Sequence, residues 1–252
     1  MIEFKNVTKK YGPIIALNSV SFQIKPGEIV GLVGANGAGK TTAIKLLTQC
    51  ISPEQGKIYI DDASIGKRIG QNISYIPDEP VYYEFMTVNE HLQFIQAMYP
   101  HGEFSAEQVV AKLSLSNQLE KVPHTLSKGN KQKLMIATAL LRNFDYFVAD
   151  EPFTGLDPKQ ISVLKQILME LRQKNKGILL STHLLDVIEL FCDRYIMIDS
   201  GSVVAAGSKA EIAKYHGLSP QLTVEKLYIS LTDYTGEGLR YDDENCFPVD
   251  EG

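Results

Sequence analysis

The stretch Gly34-Ala-Asn-Gly-Ala-Gly-Lys40-Thr41 leaves this chain few ways to fold. Ahead of it, Glu28-Ile-Val-Gly-Leu-Val33 is an apolar run of strand length, and behind it residues 40–49 open as a helix. A buried strand that turns at once into a helix needs a connection with little side-chain bulk, and Gly34, Gly37 and Gly39 supply it. Such a turn aims several backbone N–H groups and the positive end of a helix dipole at one point, where triphosphate oxygens are held. Gly34, Asn36, Gly37, Ala38, Gly39 and Thr42 are therefore expected to wrap phosphates. Lys40 is expected to reach the β- and γ-phosphates, and the Thr41 hydroxyl to ligate Mg²⁺.

Composition narrows the class. With 252 residues the chain can bury a full core, as one large α/β domain or as a core carrying an inserted subdomain. Its apolar share (44%) and charged share (22%) are those of an ordinary globule, and a formal charge of −5 disfavours a nucleic-acid partner. Cys50, Cys192 and Cys246 are too irregularly spaced to frame disulfides or a zinc site, which fits a reducing compartment. Met1-Ile-Glu-Phe-Lys5 has no signal-peptide pattern, and no apolar run approaches the roughly 18–20 residues that span a bilayer. The expectation is a cytoplasmic protein that meets a membrane only through another polypeptide.

Alternation over 2–8 and 17–25, punctuated by Gly12-Pro13 and Pro26-Gly27, predicts an N-terminal antiparallel β subdomain. Further strands are expected at 29–33, 57–61, 73–76, 145–149 and 178–182, with a closing pair at 194–198 and 202–206 around Gly201. From about residue 84 to 144 the period becomes helical, over 88–99, 105–113 and 131–141. Helices also fit 158–174, 184–191 and 209–232. The fold class is α/β: a P-loop NTPase core with a largely parallel sheet, interrupted by an inserted α-helical subdomain. One domain over 1–232 precedes an acidic tail, 233–252, expected to be disordered.

Strand 145–149 delivers Asp150 and Glu151 to its C-terminal end, where open α/β sheets bind their ligands. Asp150 can hold Mg²⁺ opposite Thr41, and Glu151 can polarise a water for attack on the γ-phosphate. Three further motifs surround this strand. Leu126-Ser-Lys-Gly-Asn130 precedes the helix leading into it, Gly155-Leu-Asp157 follows it, and His183 comes just after strand 178–182.

In this order the motifs resemble the ATP-binding subunit of an ABC transporter, over residues 1 to about 210. Ile76-Pro-Asp-Glu-Pro80, Ser127-Lys128-Gly129 and Val224-Glu-Lys-Leu-Tyr-Ile-Ser-Leu231 are similar to bacterial ABC-2-like exporter ATPases of the Ecs type. The resemblance implies ATP hydrolysis, with Mg²⁺, by a head-to-tail dimer of identical or related chains. Each ATP would be sandwiched between the Lys40 loop of one subunit and Ser127 and Gly129 of the other. It implies Glu151 as catalytic base beside Lys40, His183 as γ-phosphate sensor, Asp157 as a contact across the dimer and Tyr11 as the adenine-stacking aromatic. It further implies a separate polytopic membrane permease as partner, export as the direction, and a peripheral position on the inner face of the membrane. An ABC ATPase acting on ribosomes or DNA is the competing class. Neither a second cassette nor sustained coiled-coil heptads are present to support it. A module that binds nucleotide without turnover is disfavoured by Glu151 and His183.

Two motifs depart from the family pattern. Lys128 and Asn130 replace a Gly and a Gln in the signature, and Asp78-Glu79 stand where a metal-contacting Gln is usual, which makes Asp78 a metal-ligand candidate. Lys128 either reaches a partner's γ-phosphate, or its stem points along the helix surface toward solvent or pairs with a nearby carboxylate. Tyr11 either stacks on adenine or packs as a surface residue. Residues 78–86, rich in Val81, Tyr82, Tyr83, Phe85 and Met86, form either the permease-docking surface or a loop folded onto its own helices.

Overall fold

The computed structural model describes residues 1–61, 63–64 and 72–233. Strands β1 (Ile2–Tyr11) and β2 (Ile14–Ile24) form an antiparallel hairpin, with Gly12 at φ 58 in the turn. The pairing runs further than alternation predicts. Register shifts between Phe4 and Val7 and between Lys9 and Lys10 break the two-residue period without ending the ladder. β4 (Gln55–Ile60) and β5 (Ala63–Ser64) complete a sheet of order β2-β1-β4-β5, and Phe4 stacks on Phe22 at 4.2 Å between ring centres.

The second sheet has the order β10-β9-β3-β8-β7-β6. β3 (Ile29–Val33) is flanked in parallel by β8 (Gly177–Ser181) and β9 (Arg194–Asp199). β7 (Tyr146–Asp150) and β6 (Ile73–Ile76) extend the parallel run, and β10 (Ser202–Gly207) closes the far edge antiparallel. β3, β7 and β8 are buried along their whole length, as parallel strands covered on both faces must be. One face packs with the N-terminal sheet around helix α1 (Lys40–Leu47), through Leu17, Val30, Leu32, Ile44 and Leu179.

The other face packs on helices. α2 (Val88–Met98), α3 (Ala106–Lys112) and α4 (Lys128–Leu140) make up the helical segment, and α5 (Pro158–Gln173) belongs to the core. Leu92, Val109, Leu134 and Leu140 share one apolar cluster with Val33, Phe147 and Leu168, so the segment is continuous with the core beneath it. Capping boxes start α2 at Thr87, α3 at Ser105 and α5 at Asp157, each stabilising its helix by about 1 kcal/mol. α4 begins three residues before the periodicity shows it, because Gly129 and Asn130 carry no apolar signal; Ser127 caps it by accepting the Asn130 N–H at 3.3 Å.

The helical region expected at 209–232 is divided in two. After α6 (Leu185–Glu189) and the β9–β10 hairpin come α7 (Lys209–Tyr215) and α8 (Val224–Asp233), two separate helices. Gly217 at φ 65 ends the first, and Thr223 starts the second by accepting the Lys226 N–H. The tail expected over 233–252 lies outside the described residues beyond Asp233, as does Cys246.

Candidate active site

The C-terminal end of β3 meets the N-terminus of α1 through the glycine loop, and a cavity of about 390 Å³ opens there. Asn36, Gly37, Gly39, Lys40, Thr41 and Thr42 form one wall; Asp78, Asp150, Glu151 and His183 form the other. The loop is pressed from outside. A Cβ on Gly34 would come within 2.5 Å of the Ile198 carbonyl oxygen, and one on Gly39 within 2.7 Å of the Ala16 carbonyl oxygen. Gly39 also sits at φ 114, a conformation that a side chain disfavours.

Lys40 is almost fully buried, and its ammonium donates to the Gly34 and Ala35 carbonyls at 2.7 and 3.0 Å. Burial pulls its pKa down from the ordinary lysine value, while Glu151 and Asp150 oppose that shift. Asp150 is buried too. Its Oδ1 accepts a short hydrogen bond from the Ser181 hydroxyl, whereas its Oδ2 has no hydrogen-bond partner among the described residues. An orphan buried carboxylate oxygen on a cavity-lining residue is costly, and a cation is the natural partner for it.

Glu151 follows in a left-handed conformation, φ 50. Its Oε2 accepts from the Thr182 hydroxyl at 3.0 Å and lies 2.9 Å from His183 Nδ1. Buried Phe153 is close behind in sequence. Asp78 is exposed at the cavity rim, yet partial desolvation raises its carboxyl above the usual aspartate range, with Asp150, Glu151 and Glu79 adding to the rise and Lys128 opposing it. The Lys128 stem lies across Gly155 of its own chain, where an added Cβ would sit 2.8 Å from Lys128 Cγ.

Other expected residues stand away from this cavity. Tyr11 is half exposed at the hairpin end, with Lys9 Nζ 5.5 Å from its ring centre. Gly34 and Ala38 form the underside of the loop rather than its lining. Ser127, Lys128 and Gly129 sit at the start of α4, and Asp157 caps α5 by accepting the Gln160 N–H at 2.8 Å. Ala16 and Thr154 line the cavity without having been expected. Thr154 could have been read from its place three residues after Glu151, whereas Ala16 reaches the site only through the packing of β2.

A buried strand, a glycine loop gripping a lysine, and a neighbouring parallel strand ending in two carboxylates define a P-loop ATPase. Residues 17–154 match the ABC transporter family model, and the chain belongs to that family. It is 34% identical to the ABC-type transporter ATP-binding protein EcsA of Bacillus subtilis (strain 168), over 92% of this chain and 96% of that one. It is 32% identical to the Nod factor export ATP-binding protein I of Burkholderia orbicola (strain AU 1054), over 99% and 86% of the two chains. A solved ATP-binding subunit of an ABC transporter superposes with a TM-score of 0.86 at 35% identity, covering 92% of this chain and 99% of its own. The dimeric cassette MJ0796, captured after hydrolysis with ADP and Pi, does so with a TM-score of 0.74 at 27% identity, over 82% and 98%. The protein is an ATP-binding and ATP-hydrolysing subunit of an ABC transporter. No helix among the described residues is long and apolar enough to cross a membrane.

Proposed function

We propose that this cassette binds Mg-ATP between two subunits, hydrolyses it on Glu151 and thereby drives a separate membrane permease in the direction of export. The observation that carries this reading is the convergence of Lys40, Thr41, Asp150 and Glu151 on one cavity whose far side lacks the signature residues. Lys40 exchanges the Gly34 and Ala35 carbonyls for phosphate oxygens. The Thr41 hydroxyl and the orphan Oδ2 of Asp150 are the groups that would hold Mg²⁺, with Asp78 on the adjoining wall. The cation's part is to neutralise charge on the phosphates. Among the described residues no three His, Cys, Asp or Glu side chains form a self-sufficient cage, so phosphate and water would complete its shell.

Glu151 accepts a proton from the attacking water, held in place by Thr182 and His183. Because Ser127 and Gly129 do not line their own chain's cavity, they serve the nucleotide of a second subunit, whose oxygen atoms they meet with a hydroxyl and backbone N–H groups. The second subunit is a copy of this chain or a related ATPase, as in the dimeric cassette it superposes on. Export follows the Nod factor relative, and the peripheral place on the inner membrane face follows from a separate permease.

Glu151→Gln is the test. It should retain Mg-ATP, lose hydrolysis by about 10²–10⁴-fold, and sediment as a dimer with Mg-ATP but as a monomer without it. Hydrolysis at the parental rate would remove Glu151 from the base role. Dimerisation that ignores ATP would remove the nucleotide sandwich.

A further inference from the structure

The C-terminal helix reaches the nucleotide loop directly. The Ala35 backbone N–H donates to the Tyr228 hydroxyl at 2.9 Å. That hydroxyl also stands 3.4 Å from both the Ile198 carbonyl oxygen and Asp199 Oδ1, at the end of β9, so it can accept from the loop and donate to the sheet. Burial raises the phenol above the ordinary tyrosine value, which keeps the donating proton in place.

α8 is well anchored for such a task. Val224 and Leu227 are fully buried, and the Val224 N–H donates to Glu189 Oε2 at 3.0 Å. Glu189 ends α6, the helix that follows His183, and its other oxygen accepts from Lys209 at 2.8 Å. One helix thus fastens to the element behind His183 at its start and to the phosphate loop one turn later.

We propose that Tyr228 is a positioning residue for the ATPase reaction, its hydroxyl holding the first turn of the phosphate loop in the shape that receives phosphate. The reason lies in Ala35. Before nucleotide arrives, this residue is held on two sides, its carbonyl by Lys40 and its N–H by Tyr228. When Lys40 turns to the phosphates it releases the carbonyl, and the Tyr228 hydroxyl remains to fix the peptide. Gly201 gives a parallel restraint at the loop's other end, donating its N–H to the Ala38 carbonyl at 3.0 Å. Without the hydroxyl, the loop must be ordered by the nucleotide itself, and affinity falls by that amount.

The inference rests on the assignment of residues 34–41 as the phosphate loop, and Lys40→Ala tests that assignment separately. In the full chain, Tyr228→Phe keeps the ring and removes one hydrogen-bonding oxygen. Its Kd for Mg-ADP by calorimetry should rise about three- to tenfold, the range for losing one hydrogen bond. KM for ATP should rise with it, kcat should stay within about twofold, and amide exchange at Ala35 should accelerate in the nucleotide-free protein. The melting temperature should match the parent's. A Tyr228→Phe Kd equal to the parent's, while Lys40→Ala has lost ADP, overturns the role of Tyr228 and leaves the loop intact. A raised Kd that comes with a lower melting temperature and unchanged exchange at Ala35 overturns it as well, by assigning the effect to helix packing. If Lys40→Ala retains ADP, it is the loop assignment that fails.

Discussion

Glu151 is set at the cavity edge by a backbone that favours glycine. Its left-handed φ of 50 costs roughly 1–2 kcal/mol for a residue with a Cβ, and the hydrogen bonds from Thr182 and from the His183 N–H hold it there. Asp78 has the opposite difficulty, a partly desolvated carboxylate near three others, Asp150, Glu151 and Glu79. Its folded-state pKa is raised, so the folded protein holds that proton more tightly than the unfolded chain. The contribution to stability is therefore full below the ordinary carboxylate range and is lost as pH rises through the elevated value. At neutral pH the ionised Asp78 is a net cost. Asp78→Asn should accordingly melt higher than the parent at pH 7 without nucleotide, and the difference should close near about pH 4. Added Mg²⁺ should narrow the gap at pH 7, because a carboxylate at 78 gains more from a cation held by Thr41 and Asp150 than an amide does. A constant difference across that pH range in calorimetry would mean that charge is not the cause.

The N-terminus of α4 and the turn after β7 act together. A Cβ on Gly129 would come within 2.8 Å of the Gly155 carbonyl oxygen, and Lys128 covers Gly155 from the other side. With its stem so placed and its charge favouring the ionised Asp78, we infer that Lys128 works within its own chain. Lys128→Met keeps the stem and drops the charge. ATP-driven dimerisation of the Glu151→Gln variant should then change by no more than about twofold at low salt, since an exposed charge facing its own chain adds little across an interface. A tenfold loss that shrinks as salt rises would put the ammonium on the partner's phosphate instead. Elements like these differ in how openly the sequence declares them. Residues 36–42 are contiguous, and Asp150 and Glu151 come at the end of an apolar strand, so their meeting at one cavity could be read from spacing, whereas His183 was placed there by the resemblance. Ala16 and Tyr228 reach the loop through a β-hairpin register and a helix docked nearly two hundred residues away, and neither leaves a local pattern. The break between α7 and α8 was marked by Gly217 and Pro220 but lay within otherwise helical composition.

At the largest scale the question is how a cavity on one side of the chain moves a membrane protein. The loop after Asp78 leads from the cavity wall to the start of α2, so it is a short covalent path from nucleotide to helical segment. The loop is partly folded onto its own helix, and we propose its exposed apolar part as the permease-docking surface. Its backbone is tied down, with the Tyr83 N–H donating to His91 Nε2 at 2.9 Å, and the Tyr83 ring meets Phe94 edge-on at 5.6 Å. The side chains of Val81 and Phe85 stand out, 72% and 91% exposed. Large apolar side chains held out by an anchored backbone form a preorganised contact surface, and their burial against a partner would contribute about 1.5–3 kcal/mol for each side chain. Replacing Val81 and Phe85 with Ser should therefore abolish copurification with the membrane subunit. ATP turnover of the isolated chain should be unchanged, because neither side chain lines the nucleotide cavity. Tyr83→Ser should behave differently, lowering the melting temperature by loosening the loop from α2. If the Val81/Phe85 double variant still copurifies at the parental level, the permease docks elsewhere, and the path from Asp78 to α2 is not the one that carries the signal.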